Sequence, residues 1–271
     1  MTSIGNAERA AFARDGYLVL DELVDVAELA RVHAVVRRLV AERAGWDHGD
    51  FFDLVGNDGA DASIDAGAVA MPQLLMPSRY APELARCGLR DAAERIAAAL
   101  LGEFPIAEGE HVICKPPHTG PATPLHQDEA FWSAATEYRS LSIWFPLGEA
   151  TRGNGCLRFV PGSHDGPVLD HHSFAGDPTN NSLELDAPAR FEPRDAPCRA
   201  GGATVHHCRT IHGAHPNASA EPRFAYIFGF GLPARRRTTA REFPWQHGRA
   251  LQRDERARRS GHEPTRMRPE L

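Results

Sequence analysis

Lysine is nearly absent from this chain of 271 residues. Of its thirty basic residues only Lys115 is a lysine, and the others are arginines. The 36 acidic residues outnumber the basic ones, so the formal net charge is −6 at pH 7. Binding to phosphate backbones requires a basic surface. We therefore expect no nucleic-acid partner.

Cysteine and long apolar segments are also scarce. The cysteines are odd in number and widely spaced, with no Cys-x-x-Cys pair: Cys87, Cys114, Cys156, Cys198 and Cys208. This pattern argues against a disulfide framework and favours a reducing compartment. Residues 1–12 have no apolar stretch of the signal-peptide type, and no later run reaches the length that crosses a membrane. We therefore expect a cytoplasmic protein with no membrane partner.

The first hundred residues combine helical patterns with loops. Apolar side chains recur at helical spacing over residues 25–43, which predicts an amphipathic helix. A strand is predicted at residues 17–20, and further helices at residues 6–14, 82–87 and 89–101. Residues 45–68 are rich in Gly and Asp without periodicity, which predicts a long loop or lid.

From residue 106 onward the pattern changes to short strands separated by turns. Strands are predicted at residues 110–115, 139–147, 156–160, 203–207 and 223–231. In the second of these, Leu141, Ile143 and Phe145 are expected on one face, and Ser142 and Trp144 on the other. Many short strands with turn signals between them predict a β-sandwich or a barrel. Residues 164–190 form a long polar excursion, and such loops are usually functional or mobile.

His126 and Asp128 stand one residue apart, after a loop rich in Pro and Gly. On an extended strand such a pair lies on one face, because side chains alternate with a period of two. The imidazole and the carboxylate could therefore bind one metal ion. One more imidazole would complete the two-His, one-carboxylate triad of non-haem Fe(II) oxygenases.

Four histidines compete for the third ligand position: His206, His207, His212 and His215. Chemistry alone does not choose among them. Arg223 follows shortly after, at the start of an apolar run, and a buried Arg is costly unless an anion pairs with it.

Several motifs in this order resemble the phytanoyl-CoA dioxygenase family of Fe(II)/2-oxoglutarate oxygenases. The resemblance covers roughly residues 105–231. It rests on His126-x-Asp128, Asn154-Gly155-Cys156-Leu157, Pro161-Gly162-Ser163-His164, and His212-Gly213 followed by Asn217 and Arg223. The early segment Asp15-Gly16-Tyr17-Leu18-Val19-Leu20 also looks like the opening of the family.

The resemblance implies a mainly β fold with flanking helices, a double-stranded β-helix of the jelly-roll, cupin-like type. It implies a metal site of His126, Asp128 and His212, with O₂ and 2-oxoglutarate as co-substrates. Arg223 would pair with the far carboxylate of 2-oxoglutarate, because a guanidinium offers a planar fork that matches a carboxylate.

Further positions carry weaker implications from the same family pattern. Trp144, His111 and Gln73 would border the co-substrate, and His207 would support the metal ligands without binding the ion. Each could instead be an ordinary core residue. Ala214 replaces a serine that is common in the family, so one hydroxyl contact to the co-substrate is expected to be missing.

The leading hypothesis is an Fe(II)- and 2-oxoglutarate-dependent dioxygenase that hydroxylates a C–H bond of a small molecule and releases succinate and CO₂. The substrate would be a secondary metabolite or an acyl derivative. The retained Asp128 favours hydroxylation over halogenation, since related halogenases replace this carboxylate. The alternative hypothesis is a non-catalytic jelly-roll binding protein with a structural or vestigial metal site.

We expect one domain over residues 1–271. Its catalytic core would span about residues 105–231, with an N-terminal helical support at residues 1–104. The arginine-rich tail at residues 232–271 is predicted to be a solvated helical segment, partly frayed.

Overall fold

The computed structural model describes residues 4–56, 69–102, 104–239, 241–249 and 251–266. Within them the strands, in chain order, are β1 (Tyr17–Leu20), β2 (Phe51–Asp53), β3 (Pro72–Leu75), β4 (Ile106–Lys115), β5 (Thr123–His126), β6 (Thr136–Glu137), β7 (Ser140–Pro146), β8 (Leu157–Phe159), β9 (His171–Ser173), β10 (Leu183–Leu185), β11 (Arg194–Ala196), β12 (Ala203–His207), β13 (His212–Ala214), β14 (Arg223–Gly231) and β15 (Arg235–Arg236).

The helices lie mainly before the strands of the core. They are α1 (Asn6–Asp15), α2 (Val26–Ala41), α3 (Pro77–Tyr80), α4 (Gly88–Leu101) and α5 (Gln252–Arg259). Short 3-10 turns occupy Pro82–Arg86, Asp128–Phe131, Arg152–Asn154, Ser163–Asp165, Phe174–Gly176, Pro188–Arg190 and Pro244–Gln246. Among the residues described, no helix is long and apolar enough to cross a membrane.

Seven strands form the larger sheet, in the order β1-β12-β7-β14-β4-β3-β2, and every pair is antiparallel. Alternation along β7 divides its side chains between the two faces of this sheet, as predicted. Leu141, Ile143 and Phe145 point outward and are fully buried. Ser142 and Trp144 point to the inner face.

Helices cover the outer face of the larger sheet. Asp25 caps α2 by accepting a hydrogen bond from the backbone N–H of Glu28 (2.8 Å), so the amphipathic helix begins where its apolar spacing begins. The apolar stripe of α2 includes Val32 and Val36, both 0% exposed, and α4 contributes Leu89 and further apolar residues to the same core. The helices thus pack on the outer face of the larger sheet, and its inner face carries side chains of the candidate metal site.

The smaller sheet has the order β11-β8-β13-β5 and faces the inner side of the larger one. A second apolar cluster joins the two sheets, with Trp144 and Ile227 from the larger and Leu157 and Phe159 from the smaller. Two facing antiparallel sheets with helices on one outer side are the predicted jelly roll, and this prediction is confirmed.

Two segments that were predicted as loops contain strands. Within residues 45–68, β2 pairs with β3 at the edge of the larger sheet, and Phe51 and Phe52 are buried. The rest of that prediction, residues 57–68, lies outside the described residues. Within residues 164–190, β9 and β10 form an antiparallel hairpin. The strands β2, β9 and β10 have only three residues each, which is too few for the period-two alternation of a strand to be recognised in the sequence.

The described part of the C-terminal tail contains a helix, α5, but it is not solvated throughout as predicted. Phe243, Asp254 and Ala257 are buried. The indole Nε1 of Trp245 donates to the carbonyl oxygen of Ala130 (2.9 Å), which ties the tail to the turn that follows His126. Charge alone suggested exposure, but arginine and tryptophan can bury their apolar parts while their N–H groups donate to backbone carbonyls.

Candidate metal centre

Two strands of the smaller sheet carry the histidines of the predicted triad. β5 ends at His126 and β13 begins at His212, and these two residues are directly paired. The strand does not continue to Asp128, which begins a 3-10 turn. Gln127 between them keeps an extended backbone (φ −120°, ψ 132°), and Asp128 Oδ1 lies 3.7 Å from His126 Nε2.

The three side chains meet at one point. One ligand atom from each of His126, Asp128 and His212 lies within 4.8 Å of the others. Asp128 Oδ1 is 3.5 Å from His212 Nε2. The structure thus brings together, from segments more than eighty residues apart, two imidazoles and a carboxylate in the arrangement that suits Fe(II).

Backbone carbonyls determine the tautomers of the two histidines. His126 Nδ1 lies 2.8 Å from the oxygen of Pro124, and His212 Nδ1 lies 2.9 Å from the oxygen of Thr210. A carbonyl oxygen only accepts, so each Nδ1 carries the proton and each Nε2 keeps its lone pair. That lone pair is the one that points toward Asp128, as a metal ligand requires.

Electrostatics favour the protonation states that bind a metal. Burial lowers the pKa of His126 and holds the pKa of His212 well below its usual range, so both rings are neutral. Burial alone would raise the pKa of Asp128. Attraction to the neighbouring rings when they are protonated, His212 first and then His206 and His126, outweighs this effect and holds the pKa of Asp128 well below its usual range. A neutral imidazole pair with an ionised carboxylate is the state in which these groups coordinate.

The second carboxylate oxygen of Asp128 faces the larger sheet. Ser142 Oγ on β7 donates to Oδ2 (2.8 Å). His206 on β12 places Nε2 3.3 Å from the same oxygen. Ser142 was not predicted as part of the site, and His206 was considered only as a possible third ligand. Ser142 could have been found, because it shares the inner face of its strand with Trp144.

Of the two adjacent histidines of β12, His206 and not the predicted His207 lies beside Asp128. Successive residues of β12 point to opposite faces of the sheet. His207 therefore points away from Asp128, and its Nδ1 accepts a hydrogen bond from the backbone N–H of Arg209 (3.1 Å). The fourth candidate, His215, hydrogen-bonds to Asp195 (2.5 Å).

The residue between the two ligands anchors the motif to the 164–190 segment. Gln127 is fully buried, and its backbone N–H donates to His171 Nε2 (3.2 Å). Its side chain donates to the oxygen of Arg209 (2.7 Å) and accepts from the N–H of Leu169 (2.8 Å). A buried amide with these partners resists displacement, so Gln127 stabilises the turn that carries Asp128. The sequence offered no sign of this role.

Arg223 lies at the start of β14, on the inner face of the larger sheet. It is 5% exposed, and its Cζ is 5.2 Å from the ring centroid of Trp144. Among the described residues its Nε and one terminal nitrogen have no hydrogen-bond partner and no carboxylate pairs with it. Burial lowers the pKa of Arg223 to about 10. A buried guanidinium without an anion is costly, so this position suits a bound carboxylate.

A second buried basic side chain stands directly beside Arg223. Lys115, the single lysine, pairs with Arg223 across β4 and β14 and is fully buried, with Nζ donating to the oxygen of Pro121. Burial, and then the charges of Arg223 and Arg158, lower the pKa of Lys115 to about 6. Lys115 is therefore mostly uncharged at neutral pH, and Arg223 carries the positive charge of this pair.

His111 and Gln73 occupy the inner face as well. His111 on β4 is opposite Ile227, and burial lowers its pKa to about 4. Gln73 on β3 is opposite Ile113 and is 8% exposed. His111 Nδ1 and Gln73 Oε1 are buried without a hydrogen-bond partner in the described part of the chain, as is Thr204 Oγ1 on β12. Buried polar atoms are normally paired, so this group of unpaired atoms is typical of a ligand-binding surface.

The chain matches known proteins over most of its length. The model of the family described as phytanoyl-CoA dioxygenase (PhyH) matches residues 12–225. The "Phytanoyl-CoA dioxygenase domain-containing protein 1" of Bos taurus is 32% identical over 150 residues, which are 53% of this chain and 51% of that protein. The match thus spans about half the length of the bovine relative.

Two more relatives extend the similarity. The ectoine dioxygenase of Sphingopyxis alaskensis is 26% identical over 239 residues, covering 81% of this chain and 73% of that protein. The crystal structure of EvdO2 from Micromonospora carbonacea var. aurantiaca complexed with 2-oxoglutarate has a TM-score of 0.74 and 32% identity. It covers 90% of this chain and 97% of that chain.

Proposed function

The chain belongs to the phytanoyl-CoA dioxygenase family, and on this premise we propose that it is an Fe(II)- and 2-oxoglutarate-dependent dioxygenase that hydroxylates a C–H bond of a small molecule. One observation carries the proposal. The interior holds a complete two-His, one-Asp cluster and, on the facing sheet, a buried Arg223 that no described carboxylate neutralises.

Each ligand has a defined task in this proposal. His126 and His212 offer their Nε2 lone pairs, and Asp128 offers Oδ1. Three ligands leave coordination positions open for 2-oxoglutarate and O₂. When bound, Fe(II) and 2-oxoglutarate supply the redox chemistry, in which O₂ converts the 2-oxo acid to succinate and CO₂ and a substrate C–H to C–OH.

Other residues of this chain orient the co-substrate and exclude water. Arg223 pairs with the far carboxylate of 2-oxoglutarate, and Trp144, which it overlies, forms the adjacent wall. His111 and Gln73 line the same face. The apolar contact between the sheets, with Ile227 and Phe159, keeps bulk water away from the reacting atoms.

The substrate is a small molecule, a secondary metabolite or an acyl derivative in this proposal. The named activity of one relative, ectoine dioxygenase, is of this kind. A cytoplasmic location is part of the same proposal. It is supported by the cysteines, all five of which are buried and none of which forms a disulfide.

Anaerobic titration tests the proposal without knowledge of the substrate. Metal-free protein is mixed with Fe(II) and then with 2-oxoglutarate, and the visible charge-transfer absorption of a chelated 2-oxo acid is recorded. Air is then admitted and succinate is measured. We expect the absorption band and succinate from the wild type.

The variant controls separate the two hypotheses. His212→Ala should give neither signal, and Arg223→Leu should need far more 2-oxoglutarate for both. A wild-type protein that binds Fe(II) but shows neither the band nor succinate would be the non-catalytic binding protein, and the proposal would be wrong.

A further inference from the structure

The imidazole of His206 stands beside the metal cluster without being part of it. Its ring centroid is 4.2 Å from that of His212, and the residue is 3% exposed. Within the part of the chain that the structure describes, neither ring nitrogen makes a hydrogen bond. A buried polar group left unpaired destabilises the protein, so a retained one calls for a role.

The two oxygens of Asp128 have different neighbours. Oδ1 faces the ligand nitrogens of His126 (3.7 Å) and His212 (3.5 Å). Oδ2 faces Ser142 Oγ (2.8 Å) and His206 Nε2 (3.3 Å). One oxygen of the carboxylate is therefore directed toward the metal-binding nitrogens, and the other is directed toward the larger sheet.

Register explains why these two residues reach the same oxygen. Ser142 on β7 and His206 on β12 are directly paired across the sheet, so their side chains emerge next to each other on the inner face. Tyr17 of β1 is the next residue in this row. The row thus presents one hydroxyl donor and one imidazole to the carboxylate.

We propose that His206 is a positioning residue that acts together with Ser142 on Asp128 Oδ2, so that Asp128 presents Oδ1 alone to the metal. This inference rests on the proposed function. The His206 Nε2 contact with Oδ2 is not aligned as a hydrogen bond in the described protein. When Asp128 Oδ1 binds the metal, an N–H at His206 Nε2 donates to Oδ2. Holding one oxygen back keeps the carboxylate monodentate and leaves coordination positions open.

Metal binding and its spectrum test the proposal without turnover. Metal-free protein is titrated with Co(II) in the absence of 2-oxoglutarate, and the dissociation constant is measured by calorimetry. The visible Co(II) absorption reports the number of ligands. Replacing an outer partner of a metal ligand typically weakens affinity roughly 10- to 100-fold. We expect this loss, with an altered Co(II) spectrum, in His206→Leu.

A conservative variant distinguishes positioning from mere space filling. The amide nitrogen of His206→Gln lies at about the reach of Nε2, so this variant should restore most of the affinity and the wild-type spectrum. If His206→Leu does not fold, His206→Asn serves as the variant without a donor at Nε2. The amide of the shorter Asn side chain reaches only the position of Nδ1. Equal Co(II) affinities for the Gln variant and the variant without a donor at Nε2 would overturn the proposal.

His33→Leu is the matched control. His33 is on α2, outside the larger sheet, and its Nε2 is also buried without a hydrogen-bond partner among the described residues. The same substitution there should leave Co(II) affinity and spectrum unchanged. Ser142→Ala adds a second arm. Because both residues act on one oxygen, its effect and that of His206→Leu should not be additive.

The design separates this inference from the proposed function. If His126→Ala and His212→Ala lose Co(II) while His206→Leu binds it like the wild type, the positioning role is wrong and the metal centre stands. If His126→Ala and His212→Ala bind Co(II) like the wild type, the metal centre itself is wrong.

Discussion

Arg223 shows how a single side chain can be costly in isolation and useful in a complex. Its guanidinium is buried, and described residues leave two of its nitrogens unpaired. Such a group destabilises the empty protein, because its hydration is lost without compensation. Binding of an anion offsets this loss of hydration. Groups that destabilise the empty protein in this way are concentrated at functional sites.

Replacing Arg223 by Leu should weaken 2-oxoglutarate binding greatly. Loss of one partner of a buried charge pair typically costs about 2–5 kcal/mol, which is roughly a 30- to several-thousand-fold rise in Kd. Lys should rescue only in part, since a point charge lacks the planar fork. Calorimetry with the Co(II) protein measures the Kd, and Co(II) affinity itself should be unchanged.

The same variant also tests a structural role for Arg223. Because the described contacts give the guanidinium so few partners, Arg223→Leu should keep or raise the Tm of the metal-free protein. A lower Tm together with an unaltered Kd for 2-oxoglutarate would show that Arg223 is an ordinary structural residue and would contradict the assignment.

At the scale of elements, the turn between α1 and β1 is linked to the loop that precedes His212. Gly16 ends α1 with φ +77°, and its carbonyl oxygen accepts from the N–H of His207 (2.9 Å) and from Thr210 Oγ1 (2.8 Å). Thr210 in turn holds His212 through its backbone oxygen. The N-terminal segment thus supports one metal ligand from a distance.

Gly16→Ala should destabilise the protein for two reasons. A Cβ there would stand 2.4 Å from His164 Nδ1 and 2.7 Å from Thr210 Oγ1, and a positive φ is itself strained for alanine. We expect a loss of about 1–3 kcal/mol and a Tm lower by several degrees in thermal unfolding.

Gly176→Ala isolates the backbone contribution to this effect. Gly176 also has a positive φ (+72°), but in the described part of the chain nothing lies within 4 Å of its added Cβ. Its Tm should fall less than that of Gly16→Ala. Equal losses would mean that the contacts with His164 and Thr210 contribute nothing.

Two arginines join the C-terminal segment to β2 and the loop before it. Arg253 donates to the oxygen of Gly49 (3.4 Å), and Arg256 makes the shorter contacts. Arg256 donates from Nε to the oxygen of Trp46 (2.9 Å) and from a terminal nitrogen to that of Phe51 (2.7 Å), and its Cζ lies 3.7 Å from the Trp46 ring centroid. Hydrogen bonds of charged groups contribute about 1.5–3 kcal/mol.

Arg256→Ala should therefore lower the free energy of unfolding by about 2 kcal/mol or more, measured by urea denaturation. Arg256→Lys should recover little, because an ammonium cannot span two carbonyl groups as the fork does. The exposed Arg258 on the same helix is the control, and its Ala variant should be near neutral. If the Arg256 and Arg258 variants are equally stable, the contacts of Arg256 do not stabilise the docked C-terminal segment.

For the whole molecule, buried neutral histidines predict sensitivity to acid. Burial lowers the pKa of His111 and of His171 to about 4, and that of His207 to about 3. Because these folded-state values lie below the ordinary 6.5, the unfolded chain binds more protons between about pH 4 and pH 6.5. The free energy of unfolding is therefore fully present above that window and falls as the pH drops through it.

Urea unfolding of the metal-free protein at about pH 7 and about pH 4.5 measures this loss, which should be on the order of several kcal/mol. Most of this window lies above the pH at which ordinary carboxyl groups protonate. His171→Gln should reduce the pH dependence, whereas the same change at the exposed His118 should not. A stability that stays constant over this range would contradict the assignment of buried neutral rings.

The sequence alone determined the layered fold and the ligand set. Alternation in residues 139–147 predicted that Leu141, Ile143 and Phe145 share one face of β7 and that Ser142 and Trp144 share the other. The spacing of His212, Asn217 and Arg223 in a known family pattern selected His212 from four histidines. Such patterns are local, or belong to a family, and can be seen without knowledge of which strands are neighbours.

Only the tertiary structure decided which residues support the ligands. That Ser142 and His206 meet at Asp128, while His207 points away, depends on the pairing of β7 with β12 and on the exact face of each residue. The docking of the arginine-rich tail likewise depends on carbonyl groups about two hundred residues earlier, such as those of Trp46 and Phe51. Contacts between distant segments arise from register and packing, which composition and periodicity do not encode.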